Sequence, residues 1–441
     1  MIPTSELFDQ STMTALLEHD PLVQDYRAFF ALLDWSPVDQ WQAERSGRGR
    51  PAHPESAYLK AFLLRIREGL SYTSHLRRFL LKHPLLLIEL GFRLHLDATQ
   101  PYGFDLEKSV PCDYWLRKHL QCFDPALLQA LLQTTVAALQ QEIPGLGETV
   151  AFDVKHIYAW VRENNPRVYV KGPFDVTYRC KGDPDCRLGV KRSSNQEQPD
   201  GSTKEKKESL FGYGSGVAAC TDPVYGDAVL AEYTLTFNEA DVTYFRPLYH
   251  CSVVATDQLP THVTADAAFD YWYVYETVAH RGGIAAIPLN SHGHEEVPRD
   301  PDGTPRCSLG LRMSPSYQFR HTNGFLAQRF RCPLLFPTRT GETCEHAQFA
   351  KGKGCVKDPN WQEGGLMRAL LDRDGPLYHA IYNQRTACER INSQAQALGI
   401  ERPKVRNGRS VSHLNTLIYI IINVRTLAKA KSINRGLLPM N

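Results

Sequence analysis

Apolar and polar positions divide the chain into a helical first third, a middle of short strands and a helical end. Residues up to about Trp41 carry helix-spaced apolar positions at Leu16, Leu17, Leu22 and Val23. From Pro54, the residues Tyr58, Leu59, Phe62, Leu63 and Ile66 recur at helical spacing and stop at Gly69, after which Ser71 can cap a second helix carrying Leu76, Phe79 and Leu80. A longer helix is signalled by Asp124-Pro125 at its start, Leu127, Leu128, Leu131, Leu132, Val136 and Leu139 along it, and Pro144-Gly145 after it.

At Gly147 the period changes. Thr149-Val-Ala-Phe-Asp153-Val is a short β-prone run, and 210–220 with 228–237 reads as a hairpin across Asp222-Pro223 and Gly226-Asp227. A helix is expected from Asn238 to about His250, a strand over Thr261-His-Val-Thr-Ala-Asp266, a helix from Asp270 to His280 and a strand over 284–289. The polar stretch from about His156 to Leu210 reads as an insertion whose second half is a mobile loop. Residues 290–374 read as an inserted subdomain, mostly strand and loop. One helix is expected to open after Gly375-Pro376 and close before Gly399, and Leu417-Ile-Tyr-Ile-Ile-Ile422 reads as a buried C-terminal helix.

With 441 residues, 42% hydrophobic and 22% charged, the chain can bury a substantial core in two or three domains. A net charge of +2 is too small to imply a nucleic-acid partner by itself, so cation placement decides. The cations cluster in Gly47-Arg-Gly-Arg-Pro51, around the Gly69 turn (Arg65, Arg67, Arg77, Arg78, Lys82), along 162–207, and at Arg402, Lys404, Arg406 and Arg409. Two helices joined by Gly69-Leu-Ser71 resemble a helix-turn-helix, with a plain helical bundle as the alternative. The longest apolar run is far short of the roughly 20 residues of a membrane span, and the start lacks a secretion signal. Eleven cysteines, an odd number, fit a reducing cytosol better than a disulfide framework.

Asp153 and Asp266 each stand in or at the end of a β-prone run, where an ionised carboxylate is costly unless paired, capped or metal-bound. Asp270 reads as a helix N-cap. On a continuous helix, Tyr382, Arg385, Glu389 and Gln396 would share a face beside an apolar stripe of Leu377, Ile381, Cys388, Ile391 and Ala395, although Arg385 and Glu389 also have the spacing of an ordinary ion pair. Three carboxylates from separate elements are the donors that two hard divalent ions take when they act on a phosphodiester. Cys307, Cys332, Cys344 and Cys355, near His346, are close enough in sequence for a structural zinc site, as are Cys180 and Cys186 for a pair. None has Cys-x-x-Cys spacing, and unliganded thiols are the alternative.

The run Tyr382-Asn-Gln-Arg385-Thr-Ala-Cys-Glu389, with Gln396 where a lysine would complete the pattern, resembles the Tyr-Arg-Glu-Lys signature of DDE transposases of bacterial insertion sequences. Asp266-Ala-Ala-Phe-Asp270 followed by Arg281-Gly-Gly and Ile284-Ala-Ala-Ile-Pro is similar to that family's second-aspartate region, Asp153 suits the first, and Gly49-Arg-Pro51 leading into 54–60 resembles its helical N-terminal domain. The resemblance implies an α/β fold: an all-helical DNA-binding domain (1–146), an RNase H-like mixed-sheet core (147–289 and 376–441) and an inserted subdomain (290–375). It implies that Asp153, Asp266 and Glu389 bind two Mg²⁺ or Mn²⁺ ions and are catalytic. It further implies that Tyr382 and Arg385 contact phosphate, and that a homodimer acts in the bacterial cytoplasm on double-stranded DNA at transposon ends and target, with no membrane. Lys155, two residues past Asp153 on the same strand face, is a further phosphate candidate, with Arg402, Lys404 and Arg406. A domesticated DNA-binding protein or a nuclease of the same fold are the alternatives.

Overall fold

The computed structural model describes residues 10–45, 52–100, 102–169, 175–197, 203–290 and 297–437. The basic loop Gly47–Pro51 lies outside them. The helices, in chain order, are α1 Gln10–His19, α2 Pro21–Phe30, α3 Ser36–Glu44, α4 Glu55–Arg67, α5 Thr73–Lys82, α6 Pro84–Leu90, α7 Leu106–Ser109, α8 Asp113–Cys122, α9 Pro125–Glu142, α10 Pro166–Tyr169, α11 Phe245–Thr256, α12 Trp272–Ala279, α13 Glu363–Leu370, α14 Pro376–Tyr382, α15 Thr386–Ala397 and α16 Gly408–Leu437. The strands are β1 Thr149–Tyr158, β2 Arg187–Glu197, β3 Thr203–Asp222, β4 Gly226–Thr236, β5 His262–Ala265, β6 Ala285–Ala286, β7 Ser314–Arg320, β8 Leu326–Arg331 and β9 Val356–Lys357. The protein is thus a mixed α/β molecule, with nine helices before its first strand among the described residues.

One sheet has the order β2-β3-β1-β5-β6, with β4 on the far half of β3, and a separate three-stranded sheet runs β7-β8-β9. β1, β5 and β6 are parallel, whereas β2, β3 and β4 are antiparallel neighbours. Two compact units divide the chain: 1–147, 153–258 and 386–441 form one, and 148–152 with 259–385 form the other.

In the first unit α16 is the central helix. Leu417, Ile418, Tyr419, Ile420, Ile421 and Ile422 are all fully buried, so the helix is covered all round, as its unbroken apolar run requires. The buried Asn423 of this helix is fully paired, as burial demands. Asn423 donates to Thr135 on α9 and to the Val229 carbonyl on β4, each at 2.8 Å, and accepts from the Val229 amide. Among the described residues no single helix is long and apolar enough to cross a membrane.

Several expectations are corrected. Much of 187–212 is not a loop: β2 and the first half of β3 form an antiparallel ladder from Arg187↔Gly212 to Glu197↔Thr203. Charged residues hid it, because composition outweighs alternation when a strand pair carries mostly polar side chains. The strand expected over 284–289 shrinks to Ala285–Ala286. The expected helix between Pro376 and Gly399 is two helices separated by a 3-10 turn at Asn383–Arg385. The apolar stripe holds at Ile381, Cys388, Ile391 and Ala395 but not at Leu377, which is 56% exposed.

Around the Gly69 turn, Arg65 is buried and donates to the carbonyls of Leu70 and Ser71. Burial depresses this guanidinium to about 10. Arg67 pairs with Asp25 at 2.8 Å and lies over the Tyr26 ring, and Arg77 pairs with Glu107. Arg65 thus braces the turn between the two helices, whereas Arg67 ties α4 to α2 and Arg77 ties α5 to α7. Ser71 does not cap α5: the N-cap residue is Tyr72, which makes no side-chain cap bond.

Candidate active site

In the first unit, the faces of β1 and α15 meet through polar side chains. Asp153 and Lys155 alternate onto one strand face, and Glu389, Asn392 and Gln396 share a helix face at i, i+3 and i+7. Asn392 donates to Asp153 Oδ2 at 2.9 Å, and Lys155 Nζ donates to Gln396 Oε1 at 3.2 Å. Lys155 also pairs with Glu401 at 3.4 Å. Gln396 therefore supplies an acceptor for a strand cation, a role no lysine at this position could fill. Arg390 anchors the same helix through two bonds to the buried Asp227, at 2.7 and 2.6 Å. The strand and helix thus bring Glu389 to within one helical turn of the residue that holds Asp153.

In the second unit, the parallel ladder of β1 and β5 runs from Thr149↔His262 to Phe152↔Ala265. The residues that follow its last pair are Asp153 and Asp266. Asp266 accepts from the Ala268 amide at 2.9 Å and so caps a one-turn 3-10 helix. Asp270 is not a helix N-cap. Its side chain is fully buried and takes Arg368 Nε and Nη2 at 2.7 and 2.5 Å, the Tyr275 hydroxyl at 2.8 Å and the Asn290 amide at 2.7 Å. Burial alone would raise this carboxyl. The guanidinium and the other donors outweigh it and hold it below the usual range. Tyr382 stacks on Tyr378, and Arg385 lies 5.7 Å from the Tyr382 ring centroid.

Carboxylate oxygens are the donor type that Mg²⁺ and Mn²⁺ take, so the residues fit such ions in kind. Among the described residues, however, no group of three or more His, Cys, Asp or Glu side chains is arranged to hold a metal ion.

A second feature of the first unit lies where the chain leaves β1. Arg402 lies 4.9 Å from the Tyr158 ring centroid, and Lys404 and Arg406 lie 5.9 and 4.8 Å from that of Trp160. The Tyr158 amide donates to the Glu401 carbonyl at 2.8 Å, which keeps this segment alongside the strand end. Trp160 meets Tyr72 edge to face and, with Tyr114, Arg117, Lys118 and Arg406, lines a cleft of about 500 Å³. Cations over aromatic rings form a surface suited to phosphates and base faces, and the one acid in the lining of the cleft, Asp113, is paired with Arg117 at 3.1 Å. The cations were legible in the sequence. Tyr72, Tyr158 and Trp160 were not, because nothing local announces which aromatic stands beneath a distant arginine.

The cysteine candidates fall into two places. Cys180 and Cys186 are both fully buried, and Cys186 donates to the Asp183 carbonyl. Cys307, Cys332 and Cys355 are buried in the core beneath the three-stranded sheet, with Cys344 packed against it.

No family model and no curated protein matches the chain. Among solved structures, the chain is similar to a piggyBac transposase determined by cryo-EM in a synaptic complex with hairpin DNA. The identity is 12%, the match covers 96% of this chain and 83% of that chain, and the TM-score is 0.32.

Proposed function

We propose that the protein is a DDE-type transposase that cuts DNA strands and joins them to a target. It would act as a homodimer on paired DNA ends in the bacterial cytoplasm, with Asp153, Asp266 and Glu389 as its catalytic carboxylates. The observation that carries this reading is a register: the β1–β5 ladder ends at Phe152↔Ala265, so the next residue on each strand is one of the two aspartates. It is supported by the Asn392–Asp153 bond, one turn along α15 from Glu389, and by the strand order β2-β3-β1-β5-β6, with β4 also paired to β3 and with β1, β5 and β6 parallel, as an RNase H-like core would have its parallel strands.

When bound, two Mg²⁺ or Mn²⁺ ions would activate a water or a 3′-hydroxyl and neutralise charge on the leaving oxygen. The chain's own residues have simpler tasks. Asn392 fixes the rotamer of Asp153. Arg385 offers a planar fork to a phosphate, and Tyr382 is its neighbour in that contact. Arg402, Lys404 and Arg406 track the DNA backbone, and Trp160 offers a face to a base. From Asp153 to Tyr158 the strand advances about 17 Å, so the cleft would engage DNA several nucleotides from the cut.

The test uses labelled duplex carrying the DNA that flanks the protein's own coding sequence, with Mg²⁺ or Mn²⁺. Cleavage lost in each of Asp153→Ala, Asp266→Ala and Glu389→Ala, with binding retained, is the expected result. Joined products separate a transposase from a nuclease of the same fold. Arg406→Ala and Lys404→Ala should each lower the slope of log affinity against log salt by about 0.9, whereas Trp160→Leu should weaken binding without changing that slope. A wild-type protein that binds the DNA and never cuts it would leave a domesticated DNA-binding protein as the answer.

A further inference from the structure

The core beneath the three-stranded sheet has an unusual composition. Its six buried residues are Cys307, Met313, Phe330, Cys332, Leu334 and Cys355, and Cys344 packs against them. Half of that core is thiol, and a core so small rarely stabilises a subdomain without a covalent or metal staple. None of the eleven cysteines is in a disulfide.

The four sulfurs come from four backbone settings that the fold brings together. The β8–β9 ladder pairs Phe330↔Lys357 and Arg331↔Val356, so the next antiparallel positions are Cys332 and Cys355, directly opposite each other. The turn after Cys332 is closed by the Leu335 and Phe336 amides, both donating to the Cys332 carbonyl at 3.2 and 3.0 Å. Cys307 opens another tight turn, with the Gly310 amide donating to its carbonyl at 2.9 Å. The His346 amide donates to Cys344 Sγ at 3.4 Å, a bond that favours the thiolate a metal requires. Gly354 completes the setting. It has φ +63°, and a Cβ there would stand 2.5 Å from Cys332 Cβ and 3.1 Å from Cys332 Sγ, so only glycine lets the chain close over that sulfur.

We infer that Cys307, Cys332, Cys344 and Cys355 form a structural tetrathiolate zinc site that staples the β7-β8-β9 subdomain. Four sulfur donors and no open position are what a structural rather than a catalytic zinc site uses. Among the described residues no three such side chains stand in a ligating arrangement, so binding requires the sulfurs to turn towards a common centre. The site is independent of the proposed strand transfer and would exist in a nuclease or a DNA-binding protein alike.

The test is metal analysis of the full-length protein after dialysis against metal-free buffer, together with the absorption spectrum after exchange into Co²⁺. About one zinc per chain is expected, with the strong thiolate-to-cobalt bands of a four-sulfur tetrahedral site. Cys332→Ser and Cys355→Ser should lose the metal. Cys344→His should keep it with an altered cobalt spectrum, and Cys112→Ser should leave both readouts unchanged. Should the serine variants fail to fold, the wild-type cobalt spectrum still decides. The inference is overturned if the wild type holds no zinc and takes up no cobalt, or if mass spectrometry finds a Cys332–Cys355 disulfide in its place.

Discussion

Glu232 on β4 is 1% exposed and sits between two helices of the core. Thr416 on α16 donates to its Oε1 at 2.6 Å, Gln129 on α9 donates to the same oxygen at 2.9 Å, and Thr234 donates to Oε2 at 3.3 Å. Burial raises its carboxyl from 4.5 to about 7, and those three donors only partly oppose the rise. The folded protein therefore holds a proton on Glu232 that the unfolded chain releases above pH 4.5. The stability tied to the neutral acid is complete below about pH 4.5 and is lost as pH rises towards 7 and beyond. The difference of about 2.5 units at 1.36 kcal/mol each bounds the loss at about 3 kcal/mol. Glu232→Gln has nearly the same shape, stays neutral at every pH and still accepts from Thr416 and Gln129. Urea unfolding of wild type and variant, compared at each pH so that other groups cancel, should show near-equal stability around pH 4.5 and a variant more stable by up to about 3 kcal/mol at pH 8. A difference that does not change with pH, or a variant less stable at pH 8, would refute the assignment of a neutral buried acid.

Asp270→Ala leaves the Tyr275 hydroxyl and the Asn290 amide without their acceptor and the half-exposed Arg368 without this partner, and should cost about 2–4 kcal/mol of stability. Asp266→Ala, four residues away, removes one cap and should cost about 1 kcal/mol. Thermal melts of the two variants distinguish an aspartate that braces the fold from one that caps a single turn, and equal losses would contradict that distinction. Gln396→Lys removes the acceptor of Lys155 and sets a second ammonium against it. It should lower stability by about 1 kcal/mol and recover when combined with Lys155→Gln, and a double-mutant cycle showing no coupling would break that link.

The chain's periodicity determined the elements that are long and one-sided in composition. α9 begins at its Asp-Pro signal, α16 is buried around its isoleucine run, and β3 with β4 forms the hairpin its alternation describes, because each draws its character from its own residues. The three acids and the cation run at 402–406 were likewise legible as residue types. Tertiary structure decided what each one touches. The break at Asn383–Arg385 has no proline or glycine to announce it. Asp270 turned from a helix cap into the buried half of an ion pair because Arg368 approaches from almost a hundred residues away. Gln396 on α15 acquired a partner in Lys155 on β1, and Trp160 came to line a cleft with Arg117, Lys118 and Arg406. Local sequence fixes backbone period and side-chain chemistry. Partnership across long loops depends on how sheets register and helices pack, and that is written in no single stretch of the chain.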